Sequence, residues 1–288
     1  MKFITFLSSG TARLGVQTAE GVIDLNGAQP QVPPDLAAAL AAGVDLKAAA
    51  TAALATTAPR HRIESLALAP VVPRPGKVIC LGLNYFEHAK EGGRQKPDYP
   101  WFFMRSATSL VAHGARAWCP KASDKLDYEA ELAVVIGKRS GRHVPADKAL
   151  DLVFGYSCFN DMSVRDYQKR TPQWTIGKNF DRTGGLGPAV VTADELPAGA
   201  VDLGIRSRLN GVVMQDATTR DMLFGVAETI VLLTECLTLE PGDVLAMGTP
   251  AGVGQSRTPP VWMKAGDRIE VEIDRVGLLV NDIVAEGT

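Results

Sequence analysis

Leu126–Gly137 reads "LDYEAELAVVIG", and the alternation inside this stretch decides what kind of sheet the chain builds. Side chains two apart in a strand share a face, so Glu129 and Glu131 point the same way as Ala133 and Val135. Leu132–Ile136 is continuously apolar, the pattern of a strand buried on both sides. Two carboxylates therefore open a face that becomes wholly apolar. A buried carboxylate left alone is too costly to keep ionised, so it is paired, protonated or bound to a cation.

The chain supplies its own comparison. "DRIEVEID", Asp267–Asp274, also holds a Glu-x-Glu pair, Glu270 and Glu272, but Arg268 and Asp274 share their face. Ile269, Val271 and Ile273 line the other side, which describes a half-buried strand with a solvated charged face. Glu129 and Glu131 differ because apolar residues continue their own face.

Around this strand the segments "KVICLGL", "DLVFGYSCFND", "GPAVVT" and "VLAMGTP" read as further strands. "VDLGIRSRLNGVVMQDA" alternates up to Asn210-Gly211, a strong hairpin signal, and "RIEVEIDRVGLLVNDIV" forms a second hairpin. "FGVAETIVLLTECL" is the clearest helix. Many strands with few helices predict a β-rich α+β fold. Residues 1–70 read as a small N-terminal domain, with short strands "KFITF", "ARLGVQT" and "GVIDL" followed by Ala-rich helices for which Asp35 serves as N-cap. The proline-rich "APVVPRPGK", Ala69–Lys77, leads into a second domain over residues 71–288.

At 288 residues, 46% hydrophobic and 22% charged, the chain has the composition of a globular protein with ample capacity for a core. A formal net charge of −2 argues against a nucleic-acid partner. Cys80, Cys119, Cys158 and Cys236 lie far apart in sequence, which suits reduced thiols and a cytoplasmic location. No uncharged apolar run reaches the roughly 18 residues of a spanning helix, so no membrane partner is expected. No G-x-S-x-G elbow, Walker A loop or strand-linked G-x-G-x-x-G occurs, which weakens serine-hydrolase and nucleotide readings.

Other residues bear on chemistry. Asp161 in "CFNDMSVRDYQ" either ends a strand as a ligand or caps a helix starting near Ser163. With Glu129 and Glu131 it would form an all-oxygen set that suits Mg²⁺ or Mn²⁺ and suits zinc poorly. His88 and Glu91 stand three apart, so they share a helix face. A carboxylate that holds an imidazole makes it a better general base, whereas the plainer alternative is a solvated charged helix. Gly92-Gly93 and Pro97–Pro100 suit a mobile lid beside them. Lys178 in "QWTIGKNFD" is either a surface lysine or a site residue. In "MGTPAGVG", Gly248 and Thr249 either make a tight loop or bind a carboxylate.

Taken in order, "LGLNYFEHAKE", "DYEAELAVVIGK", "GYSCFNDMSVRDYQ", "WTIGKNFD" and "PGDVLAMGTPAGVG" resemble the fumarylacetoacetate hydrolase family over roughly Pro75–Val284. The resemblance is to bacterial acylpyruvate or diketo-acid hydrolases. It implies a rolled mixed β-sheet core with a small N-terminal α/β domain, and a homodimer. It also implies that Glu129, Glu131 and Asp161 hold Mg²⁺ or Mn²⁺, that Lys178 polarises the substrate, and that His88 and Glu91 activate water. Arg105, Gln168, Gly248 and Thr249 fall at positions expected to contact a keto-acid substrate, Arg105 standing where many members carry lysine. The expected reaction is metal-dependent hydrolysis of a C–C bond in an acylpyruvate or 2,4-diketo acid. The alternative is decarboxylation or isomerisation of a β-keto or 2-hydroxy-dienoic acid, as for oxaloacetate or a homoprotocatechuate intermediate. A binding protein that has lost catalysis is a third reading, opposed by the presence of Lys178 and the His88–Glu91 pair.

Overall fold

The computed structural model describes every residue of the chain except Arg94 and Lys96. The lid expected around Gly92–Pro100 includes those two, which lie outside the described residues. A twelve-stranded mixed sheet dominates. The strand Ala130–Ile136 lies near its middle, between Val153–Asp161 and the short strand Val244–Ala246, antiparallel to both. Beyond Val244–Ala246 come Val78–Gly82 and the edge strand Trp101–Arg105.

The double burial expected for Ala130–Ile136 is observed: all seven residues are buried. Leu132, Val134 and Ile136 face one core, which includes the Val226–Thr234 helix and a second sheet of five strands. Ala133 and Val135 face another core, with Cys80, Phe103 and Phe159. The five-stranded sheet contains both predicted hairpins. Asn210 and Gly211 take the positive φ values, 52° and 81°, that a two-residue hairpin turn of mirror-image type requires. Ile269, Val271 and Ile273 are buried while Glu270 and Glu272 stay half-exposed, and Glu272 pairs with Arg208 at 2.7 Å.

The first seventy residues extend the main sheet. Lys2 and Phe3 pair antiparallel with Val191 and Val190 of the strand Gly184–Thr192, which itself borders Val153–Asp161. Asp35 and Asp45 cap the helices Leu36–Ala41 and Leu46–Leu54, their carboxylates accepting from Ala38 N at 2.8 Å and Ala48 N at 3.0 Å. Phe3, Leu14, Leu36 and Ala50 enter the same core as Ala133 and Val135. No helix among the described residues is long and apolar enough to cross a membrane.

Candidate metal and keto-acid site

Register brings the carboxylates together. Ala130 pairs with Asn160 and Glu131 with Phe159, so the next antiparallel partners are Glu129 and Asp161, whose backbones are joined by Asp161 N donating to Glu129 O at 3.0 Å. Side chains of directly opposed residues are neighbours on one face, and Glu131 follows two positions along it. One oxygen from each of the three acids lies within 4.8 Å of the others, and all three residues are buried. Asp161 ends its strand as a site carboxylate; the following helix, Arg165–Gln168, is capped by Val164 without a side-chain bond.

Three cations serve these acids. Lys178 Nζ bridges Glu129 Oε2 at 2.7 Å and Asp161 Oδ2 at 2.6 Å. Its placement depends on Gly177: a Cβ there would stand 2.4 Å from the Gln168 nitrogen, so only glycine lets the Thr175–Lys178 turn lie directly on the Arg165–Gln168 helix. Arg105 Nη1 donates to Asp161 Oδ1 at 2.5 Å, and its other donors reach Met162 O, Thr183 Oγ1 and Ser109 Oγ. Arg165 pairs with Glu129 Oε1 at 2.7 Å and with the buried Asp127 at 2.8 Å. Burial pushes Glu129 up, but Lys178 and Arg165 outweigh it and hold the carboxyl down at about 2. Lys178 is raised despite its burial, because Asp161 and Glu129 favour the ammonium.

Glu131 is the exception. Among the described residues it pairs with no cation and accepts a single hydrogen bond, from Gly248 N at 2.9 Å. Burial first, then the charges of Asp161 and Glu129, push its carboxyl well above the ordinary range. Among the described residues, four buried acids (Asp127, Glu129, Glu131 and Asp161) thus face three buried cations (Arg105, Arg165 and Lys178), and the acid left over, Glu131, lies at the cavity. An all-oxygen donor set short of positive charge fits a hard divalent cation.

The cavity beside these acids measures about 340 Å³, and its wall includes His88, Glu91, Glu129, Glu131, Gln168 and Lys178. His88 and Glu91 sit on the helix Phe86–Glu91 with His88 Nδ1 3.2 Å from Glu91 Oε2. Glu91 Oε1 also accepts from Gly252 N at 3.0 Å, which latches the helix end to the loop after Thr249. Thr249 lines the cavity, its hydroxyl accepting from Gln215 Nε2 at 2.7 Å.

Two residues expected at the substrate are placed elsewhere. Arg105 is buried beside Asp161 with four of its five donors engaged by Ser109, Asp161, Met162 and Thr183, so it buttresses the carboxylate and is absent from the described cavity wall. Gly248, also absent from that wall, presents its N–H to Glu131. Its φ of +86°, and the 2.7 Å that would separate a Cβ from Asn84, account for the glycine. Sequence reasoning missed the buried links: Asp127 accepts from Gly254 N at 2.7 Å, Gln255 N at 3.0 Å and Arg165 Nε at 2.8 Å, which ties the loop bearing Gln255 to the metal-ligand candidate Glu129. The one available signal was the i, i+3 pair Arg165 and Gln168, whose Nη1 and Oε1 meet at 2.9 Å.

Comparison with known proteins agrees with this geometry. The human protein named oxaloacetate tautomerase FAHD2A, mitochondrial, is 41% identical over 276 residues, 94% of this chain and 87% of that one. The fumarylacetoacetate hydrolase of the psychrophile Exiguobacterium antarcticum superposes with a TM-score of 0.85 at 35% identity, covering 99% of this chain and all of that one. The maleylpyruvate hydrolase of Sphingobium sp. SYK-6, solved with manganese(II) and pyruvate, superposes at 0.81 with 31% identity over 99% of both chains. The model of the fumarylacetoacetate (FAA) hydrolase C-terminal family matches residues 77–284. With its acids, lysine and His–Glu pair all carried inside that match, the chain is a member of the fumarylacetoacetate hydrolase family of enzymes.

Proposed function

We propose that the protein catalyses keto–enol chemistry on a short 2-keto acid, with oxaloacetate tautomerisation as its reaction. The observation that carries the reading is the buried Glu131, without a counter-cation among the described residues, at the wall of a cavity that also presents the imidazole of His88. Glu129, Glu131 and Asp161 would hold Mg²⁺ or Mn²⁺. Such a cation supplies Lewis-acid stabilisation of the negative charge that develops on the 2-keto oxygen.

The residues of the chain supply the rest. His88, oriented through Nδ1 by Glu91, takes a proton from the carbon beside the keto group and delivers it to the oxygen of the resulting enolate. It runs the same transfer in reverse from the enol, so a single positioned base suffices for tautomerisation. Lys178, fixed between Glu129 and Asp161, keeps positive charge next to the developing oxyanion. Gln168 and Thr249 hydrogen-bond the substrate's carboxylate or keto group from the cavity wall. The close relatives named as oxaloacetate tautomerases support this choice of reaction.

Hydrolysis of an acylpyruvate is the second reading. The His88–Glu91 pair favours it, because the same base can take a proton from water, and a structural neighbour is a maleylpyruvate hydrolase. Protein supplied with Mn²⁺ is assayed for loss of the oxaloacetate enol absorbance and, separately, for pyruvate release from an acylpyruvate. Enol–keto exchange without pyruvate release supports tautomerisation, pyruvate release from the acylpyruvate supports hydrolysis, and inertness toward both rejects the two together.

A further inference from the structure

The Arg165–Gln168 helix and its capping residue Lys169 present three side chains to the cavity at i, i+3 and i+4, the spacing of one helix face. Arg165 is committed at the buried end, to Asp127 and Glu129. Its Nη1 also donates to Gln168 Oε1, and that bond turns the Gln168 amide so that its N–H groups remain for whatever fills the cavity. Lys169 is unlike both. It is exposed, yet it lines the cavity, and it makes no ion pair among the described residues. Burial and the neighbouring Arg165 guanidinium both push its ammonium below the ordinary lysine value, the signature of a place short of negative charge.

Four residues, about 6 Å along the helix axis, separate Arg165 at the acid cluster from the exposed Lys169 on the same cavity wall. That is close to the span between the two carboxylates of an extended four-carbon dicarboxylic acid. We propose that Lys169 binds the distal carboxylate of a four-carbon dicarboxylic 2-keto acid whose keto-acid end faces Glu129, Glu131 and Asp161, and so sets a preference for dicarboxylates over monocarboxylates. The proposal rests on the keto-acid reading of the site and adds to it the residue that holds the distal carboxylate and so selects among 2-keto acids.

The test uses unreactive ligands, so that binding is read apart from turnover. The full-length protein loaded with Mn²⁺ and its Lys169→Gln and Lys169→Arg variants are titrated calorimetrically with L-malate and with 2-hydroxybutyrate. Both ligands carry the same 2-hydroxy-acid head, and only malate has a distal carboxylate. Lys169→Gln is expected to weaken malate roughly 5- to 20-fold, the worth of a half-solvated charged contact, and to leave 2-hydroxybutyrate unchanged. Lys169→Arg keeps most of the malate affinity. Malate that binds Lys169→Gln as well as wild type, an equal loss for both ligands, or failure of malate to bind wild type overturns the proposal. A malate preference that depends on Lys169 in a protein inert toward oxaloacetate would instead reject the reaction and leave the Lys169 assignment standing.

Discussion

Replacing Glu131 by glutamine should make the metal-free protein more stable, opposite to the usual result of altering a buried charged residue. Glu131 is 1% exposed, has no cation partner among the described residues, and places a carboxylate oxygen within 4.8 Å of one from both Glu129 and Asp161. Two like charges at that separation repel by about 3.5 kcal/mol at an effective dielectric constant of about 20. Lys178 offsets part of this, and the cavity admits water, so a net relief of about 1–2 kcal/mol is expected. Glutamine keeps the acceptor for Gly248 N, and its amide can donate to the two remaining acids. In a chain of this size such a gain raises Tm by roughly 2–6 °C. Lys178→Met makes the contrasting case, because it strands Glu129 and Asp161 and should cost about 3–5 kcal/mol. Thermal melts are run in EDTA and in excess Mn²⁺. Wild type should gain stability from the metal, about 2.7 kcal/mol at a hundred times Kd, and Glu131→Gln should lose most of that gain. A Glu131→Gln protein that melts below wild type in EDTA and still responds fully to Mn²⁺ would refute the argument that this acid awaits a cation.

Chelation with EDTA should abolish turnover and added Mg²⁺ or Mn²⁺ restore it; full activity after exhaustive chelation would remove the metal from the mechanism. His88→Ala should lower kcat by roughly 10²–10⁴-fold while Mn²⁺ and oxalate still bind, and Glu91→Gln should fall less; near-native turnover in both returns the pair to a solvated helix face. Gly177→Ala should displace Lys178, because its Cβ would stand 2.4 Å from Gln168 N, and a variant of native activity would mean that this close approach is dispensable. Burial and Arg268 hold the His113 imidazole below its ordinary value of 6.5, and Val280 N donates to its Nδ1. The neutral ring is therefore the native form, so this contribution to stability is complete above about pH 6.5 and is lost as the pH falls below it. His113→Gln should flatten that part of a Tm–pH profile, and an unchanged slope would rule the residue out.

The acid cluster was legible because strand parity is a local property: two residues apart means one face, whatever the fold. Asp161 required the register between two strands, which a single sequence does not print, and so it remained open between ligand and helix cap until Glu131 was seen opposite Phe159. The His88–Glu91 pair was legible from helix spacing. Arg105 was named from a family position, which says that a cation is near the site but not that it approaches Asp161 from the buried side. Asp127 and Gln215 reach Arg165 and Thr249, 38 and 34 positions distant, through buried bonds for which no local pattern exists. The seventy-residue boundary was read from a proline-rich stretch, whereas the pairing of Lys2 with Val191 joins both sides of it in one sheet.

That pairing also bears on how the protein is made. The strand Lys2–Ser8 leaves the ribosome well before the strand it pairs with, Gly184–Thr192, which lies far further along the chain. Until then Lys2 and Phe3 lack these partners, although Phe6 and Leu7 can already pair with Leu68 and Ala67, and the open end of that edge offers its unpaired N–H and C=O groups to other chains. Long-range pairing of this kind slows folding and lengthens the period of risk. Expression at low temperature or with a holdase chaperone should therefore raise the soluble yield more than it would for a protein whose first strands pair with one another alone.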